Sequence, residues 1–332
     1  MCQTLLHSSV TLREKEFRVK HFDREAIDSI VTFPALISAL HAGFAASWTT
    51  PDRAHLTMSK DPEKYMLLMP SWTGPGGTEY AGIKIVASHP QNGELYDLPS
   101  IHGIYYLIDG KTGQPLATMD GTRMTVWRTA AASALASQFL SRTDSKVLTM
   151  IGTGALAPFM IRAHMAVRPI EQVHLWNHNI RKAHILAEQL QAEGLPVTSH
   201  PDLVSAVQES DIVSAATLSY TPLIMGKWLK PGTHVDTVGA FTPDRRETDD
   251  DFIKLARIYC DTRSGATREG GDLAMPLAQG VISMDDILGD LHDLTRGTVQ
   301  GRQNEEDITF FKSVGHASED LAAAITIWES AL

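Results

Sequence analysis

Hydrophobic and polar positions divide the chain into a β-rich first half and a second half in which strand and helix signals alternate. A first strand is expected from Phe17, and two helices follow, one capped by Asp23 and one after Pro34. Apolar runs rich in β-branched and aromatic residues then predict strands at 54–58, 65–69, 81–86 and 103–108. Pro70, Gly74 to Gly77, Pro90 and Asp109-Gly110 mark the turns, and segments 104–108 and 115–119 flank a predicted hairpin.

The second half begins with a small, apolar helical segment at 128–136, which leads into a strand at Val147. Further strands are predicted at 173–176, 211–216, 234–240 and 257–261, with helical signals between them up to about residue 300. A mostly β half followed by a βαβ half predicts an α/β fold, a doubly wound parallel sheet attached to a separate α+β domain. The final helix, at about 318–329, lies beyond the alternating pattern, and a return to the first domain would fit this position.

The segment KVLTMIGTGALA, from Lys146 to Ala157, reads as a buried strand, a tight glycine turn and a helix start. Gly152 permits the turn, Gly154 lets a pyrophosphate approach the backbone, and Ala157 keeps the helix close to the strand. The N–H groups of the first helical turn would then face an anion. The next predicted strand, 173–176, lies where a βαβ unit should place one. The pattern predicts a dinucleotide site, although a glycine turn also occurs as plain connectivity.

The exit of the second strand of this unit bears on the choice of cofactor. A carboxylate there would hold the ribose 2′-OH of NAD, but no acid occurs before Glu188. Arg181 and Lys182 are available for a 2′-phosphate instead. NADPH is therefore favoured, with NADH left open. The alternative is that both cations belong to the solvated face of the next helix.

Composition narrows the functional classes. A chain of 332 residues suggests two domains, and a formal net charge of -10 without a basic stripe argues against a nucleic-acid partner. Cys2 and Cys260 form no metal or disulfide pattern, and His174 and His178 fall on a strand and its exit, so no metal site is expected. No signal peptide or long apolar stretch is evident, which predicts a cytoplasmic protein without a membrane partner.

Three cations in the first half are candidates for anion binding: Arg53, Lys84 and Arg128. Lys84 lies between apolar residues of a predicted strand, and Arg128 precedes an almost wholly apolar helical run. A guanidinium in such a segment needs an anionic partner. Together the three would suit a small carboxylate substrate, whereas each alone would more commonly be a surface cation.

Four segments carry a specific resemblance: DGTRMTVWRTAAASALA, GTGALA, KPGTHVDTVGAFTPDRRETDD and FKSVGHASEDLAAA. With them the chain resembles the ornithine cyclodeaminase/μ-crystallin family over nearly its whole length. The resemblance implies a homodimer. It also implies a substrate-binding and dimerisation domain formed by 1–124 plus 305–332, and an inserted NAD(P)-binding Rossmann domain at 125–304, with the active site between them.

The resemblance also implies roles for individual residues. The carboxylate-binding cations of the family match Arg53, Lys84 and Arg128, and Lys84 is the candidate catalytic residue. The implied cofactor contacts, to which Arg181 is added for the 2′-phosphate, are Gly152, Thr153, Gly154, Ala155, Asn177, His178, Asn179, Ala216, Thr217, Leu218, Val238 and Gly239.

One departure from the family pattern bears on the reaction. The family's cyclodeaminases and alanine dehydrogenases carry an aspartate where this chain has Phe241, and a phenyl ring cannot accept a proton. The GAFTP form is instead similar to the family's ketimine reductases. These reduce Δ1-pyrroline-2-carboxylate and Δ1-piperideine-2-carboxylate to L-proline and L-pipecolate, so a small cyclic imino acid is the expected substrate. Phe241 would be an apolar wall of the site.

Thr242 and His102 are further candidates for polar contacts with the substrate, although a structural role is favoured for His102. Three other functions stay open. One is ornithine or lysine cyclodeamination with bound NAD. The second is an amino-acid dehydrogenase that makes an N-substituted product. The third is a non-catalytic, crystallin-like protein that binds NADPH or a small acid.

Overall fold

The computed structural model describes residues 18–61, 63–74 and 79–332. Phe17, Cys2 and most of the predicted glycine-rich turn lie outside the described residues. The first ten elements are β1 (Lys20–Phe22), α1 (Arg24–Ile30), α2 (Phe33–Ala45), β2 (Ala54–Lys60), β3 (Glu63–Trp72), β4 (Tyr80–Ser88), α3 (Asn92–Tyr96), β5 (Ile101–Asp109), β6 (Pro115–Asp120) and α4 (Gly121–Leu140). The six strands form one sheet in the order β1-β6-β5-β4-β3-β2. In it β1 and β6 are parallel and the other neighbours antiparallel.

The second half supplies the remaining elements. They are β7 (Val147–Ile151), α5 (Ala157–Val167), β8 (Gln172–Trp176), α6 (Ile180–Ala192), β9 (Val197–Ser199), α7 (Leu203–Glu209), β10 (Ile212–Ala215), β11 (His234–Thr237), α8 (Asp250–Leu255), β12 (Arg257–Cys260), α9 (Arg263–Glu269), α10 (Gly271–Ala278), β13 (Ile287–Asp290), α11 (Leu291–Arg296), β14 (Thr309–Lys312) and α12 (Ala317–Ser330). Single 3-10 turns occur at Gly226–Trp228 and Met284–Asp286.

The eight strands β7 to β14 form a wholly parallel sheet in the order β13-β12-β14-β11-β10-β7-β8-β9. From β7 the chain moves outward to β8 and β9 and then returns to β10 on the other side of β7. The strand order therefore reverses between β7 and β10, which is where doubly wound sheets bind ligands. The predicted α/β fold, a Rossmann-type parallel sheet with a second α+β unit, is confirmed.

Within the described chain, the first sheet has one buried face and one face with exposed apolar side chains. Met69, Lys84, Tyr105 and Met119 are partners across β3 to β6, and each is at most 3% exposed. α12 packs against β3, β4 and β5, and also against α2 and α4. The final helix therefore packs against the first sheet.

α4 joins the two halves of the molecule. Its Asp120 cap accepts from the backbone N–H of Arg123 at 2.8 Å, and the helix packs against α2, α5, α12 and β14. The small residues from Ala130 to Ala136 are fully buried, which lets neighbouring elements approach closely. The predicted helix at 128–136 is thus the middle of a longer one, and the proposed domain boundary at 124 falls inside it.

Two further expectations need correction. The proposed boundary at 305 assigns β14 to the first domain, but this strand lies between β11 and β12 of the second sheet. Pro70, expected in a turn, lies within β3 opposite Ile83. The pairing of β3 with β2 ends at Leu68, so the N–H that proline lacks faces no ladder partner at this position.

The two helices at the start of the described chain follow the prediction. Asp23 accepts from the backbone N–H of Ala26 at 2.9 Å and so caps α1. In the described part of the chain, no single helix has the length and apolar character to cross a membrane. α1 and α2 meet that test only together, and they are bent by 89° at the break between them.

Candidate active site

Two adjoining cavities lie at the carboxyl ends of β7, β8 and β10. The first, of about 320 Å³, is lined from both halves of the molecule and contains Arg53, Lys84 and Arg128. The second, of about 430 Å³, is lined by residues that follow β7, β8 and β10. Residues 216–218 line both cavities, so the two spaces share one wall.

Lys84 is the most deeply buried of the three cations, at 1% exposure. Its Nζ lies 2.7 Å from Oδ1 of Asp320 and 3.3 Å from Oγ1 of Thr125. Burial, followed by the charge of Arg128, lowers the pKa of Lys84 from 10.5 to about 8. An ammonium group with this pKa can lose and regain a proton near neutral pH.

Arg128 meets the same carboxylate and a second one. Its Nη1 donates to Oε2 of Glu319 at 2.6 Å, and its Nε lies 3.0 Å from Oδ1 of Asp320. Gly315 lies against the guanidinium, since a Cβ on this residue would come within 2.3 Å of Nη1, and its φ is +82°. Arg128 therefore has the anionic partners that its apolar surroundings require.

Arg53 reaches the same place from the loop before β2. It donates to the carbonyl oxygen of Val314 at 3.3 Å and to that of Gly315, while its Nε lies 3.4 Å from Oε2 of Glu269. Asp261 holds the segment that contains Val314 and Gly315 in place. Its Oδ2 accepts from the backbone N–H groups of both residues, at 2.7 Å each. Arg53 and Arg128 thus meet at the segment 313–315, and all three predicted cations line the first cavity.

Glu319 and Asp320 lie in the first turn of α12. Neither was singled out from the sequence. Both are fully buried, and burial raises the pKa of Glu319 to about 7. Among the described residues, Oε1 of Glu319 and Oδ2 of Asp320 have no hydrogen-bond partner. A signal was available, because two adjacent acids in the apolar run SEDLAAA need cationic partners as much as Arg128 needs anions.

The glycine turn after β7 has the features of a pyrophosphate cradle. Gly152 has a φ of +106°, and a Cβ there would lie 2.7 Å from the carbonyl oxygen of Ala216. A Cβ on Gly154 would have no neighbour within 4 Å, so the backbone is open to a ligand. Nδ2 of Asn177 donates to Oγ1 of Thr153 at 2.9 Å and links the turn to the exit of β8. These residues fit a dinucleotide bound across the switch point.

Glu247 is a second group that the sequence did not reveal. It is fully buried, and its Oε1 accepts from the backbone N–H and the hydroxyl of Thr217, at 2.7 and 2.8 Å. Its Oε2 accepts from the N–H groups of Gly239 and Ala240, at 3.0 and 3.1 Å. One carboxylate therefore fixes the loops after β10 and β11. Gly239 is required there, because a Cβ would lie 1.9 Å from the carbonyl oxygen of Thr217.

The predicted site residues divide into those that line the cavities and those that lie outside them. Phe241, Val238 and Gly239 line the first cavity beside the three cations, and Gly152, Thr153, Gly154, Asn177 and His178 line the second. Ala216, Thr217 and Leu218 line both.

Five of the predicted residues have other surroundings. Thr242 turns its hydroxyl to Asp244, at 2.6 Å, and His102 is exposed on β5, so neither expected substrate contact is supported. Asn179 caps α6 by accepting from the N–H of Arg181. Ala155 and Arg181 are exposed beside the second cavity without lining it. Local sequence could not give these orientations.

A parallel sheet with a glycine turn at its switch point, beside a cationic cavity, defines a protein of the dinucleotide-binding α/β class. The chain belongs to the ornithine cyclodeaminase/mu-crystallin family, whose model matches residues 23–332. The resemblance inferred from the sequence is thereby confirmed.

Named relatives cover almost the whole chain. The Δ1-pyrroline-2-carboxylate reductase of Colwellia psychrerythraea is 36% identical over 316 residues, which make up 94% of this chain and 99% of the relative. The structure of the Thermococcus litoralis Δ1-pyrroline-2-carboxylate reductase, in complex with NADH and L-proline, is similar with a TM-score of 0.88 at 32% identity and covers 94% of this chain and 97% of that one. An archaeal alanine dehydrogenase dimer with bound NAD has a TM-score of 0.87 at 29% identity, with 94% and 96% covered.

Proposed function

We propose that this protein uses NADPH to reduce cyclic ketimine carboxylates, Δ1-pyrroline-2-carboxylate to L-proline and Δ1-piperideine-2-carboxylate to L-pipecolate. The broader class, an imine reductase that depends on a nicotinamide cofactor, is confirmed by the named reductases that match the chain along its length. The observation that carries the specific proposal is the cavity itself, in which Arg53, Lys84, Arg128 and Phe241 face one space beside the glycine turn.

The cations suit a small acid of this kind. Arg53 and Arg128 can hold a carboxylate through guanidinium N–H groups, which form paired, charge-assisted hydrogen bonds. Phe241, Leu67 and Val86 line the same cavity and offer apolar surface for the ring methylenes. A rigid ring held at both ends needs little further orientation.

Lys84 is the proton donor in this proposal. When bound, the reduced nicotinamide supplies a hydride to C2 of the imine. Lys84 gives its proton to the ring nitrogen, and the protonated C=N bond becomes the better electrophile. Its pKa of about 8 allows Lys84 to donate a proton near neutral pH. Asp320 and Thr125 hold its Nζ in position.

Cyclodeamination is the less favoured function. It needs a base beside the substrate amine, and the aspartate that the family uses is replaced by Phe241, whose ring lines the cavity. The nearest buried acids, Glu319 and Asp320, are already paired with Arg128 and Lys84. A purely binding role would not require a buried lysine with a lowered pKa.

The preference for NADPH rests on the start of α6. Arg181 and Lys182 are exposed in its first turn, just beyond the residues that line the second cavity, and no acid precedes Glu188 on this helix. Two cations at a helix N-terminus are suited to a 2′-phosphate, whereas an acid would be suited to a free ribose.

A homodimer is proposed through the face of the first sheet that carries exposed apolar side chains. Leu68, Ile85 and Ile104 are cross-strand partners on this face, and Ile104 is 43% exposed; Leu56 on the edge strand β2 is 48% exposed. An apolar sheet face of this kind is typical of an interface, and the alanine dehydrogenase with the same fold is a dimer. Light scattering coupled to size-exclusion chromatography tests the state directly, and a monomer at micromolar concentration would contradict it.

Two incubations test the reaction. Purified protein is mixed with Δ1-pyrroline-2-carboxylate and NADPH in one, and with L-ornithine and NAD in the other, while nicotinamide absorbance and released ammonia are followed. We expect NADPH oxidation and L-proline in the first and neither ammonia nor proline in the second. Ammonia and proline from ornithine would contradict the proposal and favour cyclodeamination. If neither incubation changes the nicotinamide absorbance or releases ammonia, a binding protein would be favoured.

A further inference from the structure

Two histidines and a glutamate meet on the outer part of the second sheet, apart from the residues that line the two cavities. His174 lies in β8, His200 follows β9, and Glu209 is the last residue of α7. One nitrogen or oxygen from each side chain lies within 4.8 Å of the other two. His174 and His200 are 26 residues apart in sequence and His200 and Glu209 are 9 apart, and the pairing of β8 with β9 and the return of α7 bring the three to one point.

The surroundings of His174 point to a missing ligand. The residue is 3% exposed, and within the described chain neither ring nitrogen has an aligned hydrogen-bond partner. Nε2 lies 3.0 Å from Oε2 of Glu209, but the contact lacks hydrogen-bond geometry. The ring of His200 approaches edge-on, with centroids 4.9 Å apart. A buried imidazole whose polar atoms lack well-aligned partners costs free energy, which an ion bound between His174 and Glu209 would recover.

We propose that His174, His200 and Glu209 bind a divalent transition-metal ion of the zinc class. Two imidazoles and one carboxylate are a ligand set that zinc accepts, with a water in the fourth position and bond lengths of about 2.0–2.2 Å. Magnesium and calcium prefer oxygen ligands and do not suit two imidazoles. The side chain of Glu209 is 57% exposed, so it can rotate to complete the geometry, and solvent has a path to the site.

The sequence predicted no metal site, because the only recognisable histidine spacing was that of His174 and His178. His178 instead lines the second cavity. The ligands that accompany His174 come from later segments, at spacings that match no familiar motif. The proposed zinc-class site therefore replaces the expectation, drawn from the sequence, that the protein has no metal site.

A metal ion at this site would stabilise the outer part of the second sheet. β9 has three residues and pairs only with β8 among the described strands, so few hydrogen bonds hold it. A metal that joins β8, the residue after β9 and the end of α7 would stabilise this part of the folded chain, because the unfolded chain does not hold the three ligands together.

Zinc titration of the full-length protein tests the proposal. The protein is treated with EDTA, freed of chelator, and titrated with zinc chloride by calorimetry, and its melting temperature is measured with and without zinc. We expect one high-affinity zinc per chain, a zinc-dependent rise in melting temperature, and no comparable binding of magnesium. Cobalt(II) in place of zinc should give the visible absorption of a four-coordinate ion.

Three variants locate the binding. His200→Gln and Glu209→Gln, at sites that are not fully buried, should each weaken zinc binding at least about tenfold and abolish the thermal shift. His184→Gln removes a nearby exposed histidine, which contacts Ser199 rather than the cluster, and should behave as wild type. The proposal fails if wild type binds no stoichiometric zinc, or if the two ligand variants bind it as tightly as His184→Gln does.

Discussion

Replacement of Lys84 by methionine separates the catalytic use of this lysine from its effect on stability. The side chain is fully buried, and its pKa falls from 10.5 to about 8, with burial as the largest cause. At ~1.4 kcal/mol for each pKa unit, the charged form is disfavoured by about 3 kcal/mol in the folded protein. Methionine has a similar length and carries no charge, so Lys84→Met should remove this cost and also remove the proton donor.

The loss of the partner of Asp320 limits the gain in free energy of unfolding. Asp320 loses the ammonium group at 2.7 Å but keeps the Nε of Arg128 at 3.0 Å. The variant should therefore gain up to about 3 kcal/mol in free energy of unfolding at pH 7, while reductase turnover is lost. Urea unfolding followed by tryptophan fluorescence, at fixed protein concentration, measures the first quantity, and NADPH oxidation the second.

The pH dependence provides an internal check. Because the pKa of Lys84 is lower in the folded than in the unfolded chain, the unfolded chain holds more protons between about pH 8 and 10.5. The stability of wild type should rise with pH across this window relative to that of Lys84→Met, and the gap between them should close. A variant less stable than wild type at pH 7 would refute the reasoning, since the ion pair with Asp320 would then outweigh the cost of burial.

Three other substitutions test the rest of the site. Arg128→Lys keeps the charge, but a lysine cannot contact Glu319, Asp320 and a substrate carboxylate at the same time. The KM for the ketimine, measured by initial rates, should therefore rise at least about tenfold. An unchanged KM would contradict carboxylate binding by Arg128. Arg181→Glu should raise KM for NADPH about tenfold or more while KM for NADH changes little, and an equal rise in both would remove Arg181 from the 2′-phosphate site. Glu247→Gln turns an amide toward backbone donors, so the dissociation constant of NADPH, measured by fluorescence titration, should rise about tenfold; wild-type affinity would show that the two loops hold without the carboxylate.

Local patterns were sufficient for much of the fold. The strand, glycine turn and helix around Gly152 lie where the sequence predicts them, since buried strands and tight turns each have a local signature. The strand β14, Thr309–Lys312, was not predicted from the sequence. Its place between β11 and β12 depends on pairing across 75 residues to β11 and 52 residues to β12, which local propensity does not encode.

The site was predicted more completely on its cationic side than on its anionic side. Arg53, Lys84 and Arg128 could be chosen because a cation in an apolar segment is conspicuous. Glu319 and Asp320, their partners, lie almost 200 residues after Arg128, and their pairing follows only from the packing of α12. Thr242 directly follows Phe241, yet its hydroxyl points to Asp244. Adjacent residues share a sequence context without sharing a direction.

The position of Glu319 and Asp320 on α12 orders events during synthesis. The ribosome completes β4 and α4 long before residues 317–330 emerge, so Lys84 and Arg128 are made without the two acids that later neutralise them. A chain without α12 would leave the charges of Lys84 and Arg128 without these acids. The charge balance of the first cavity therefore depends on the docking of α12.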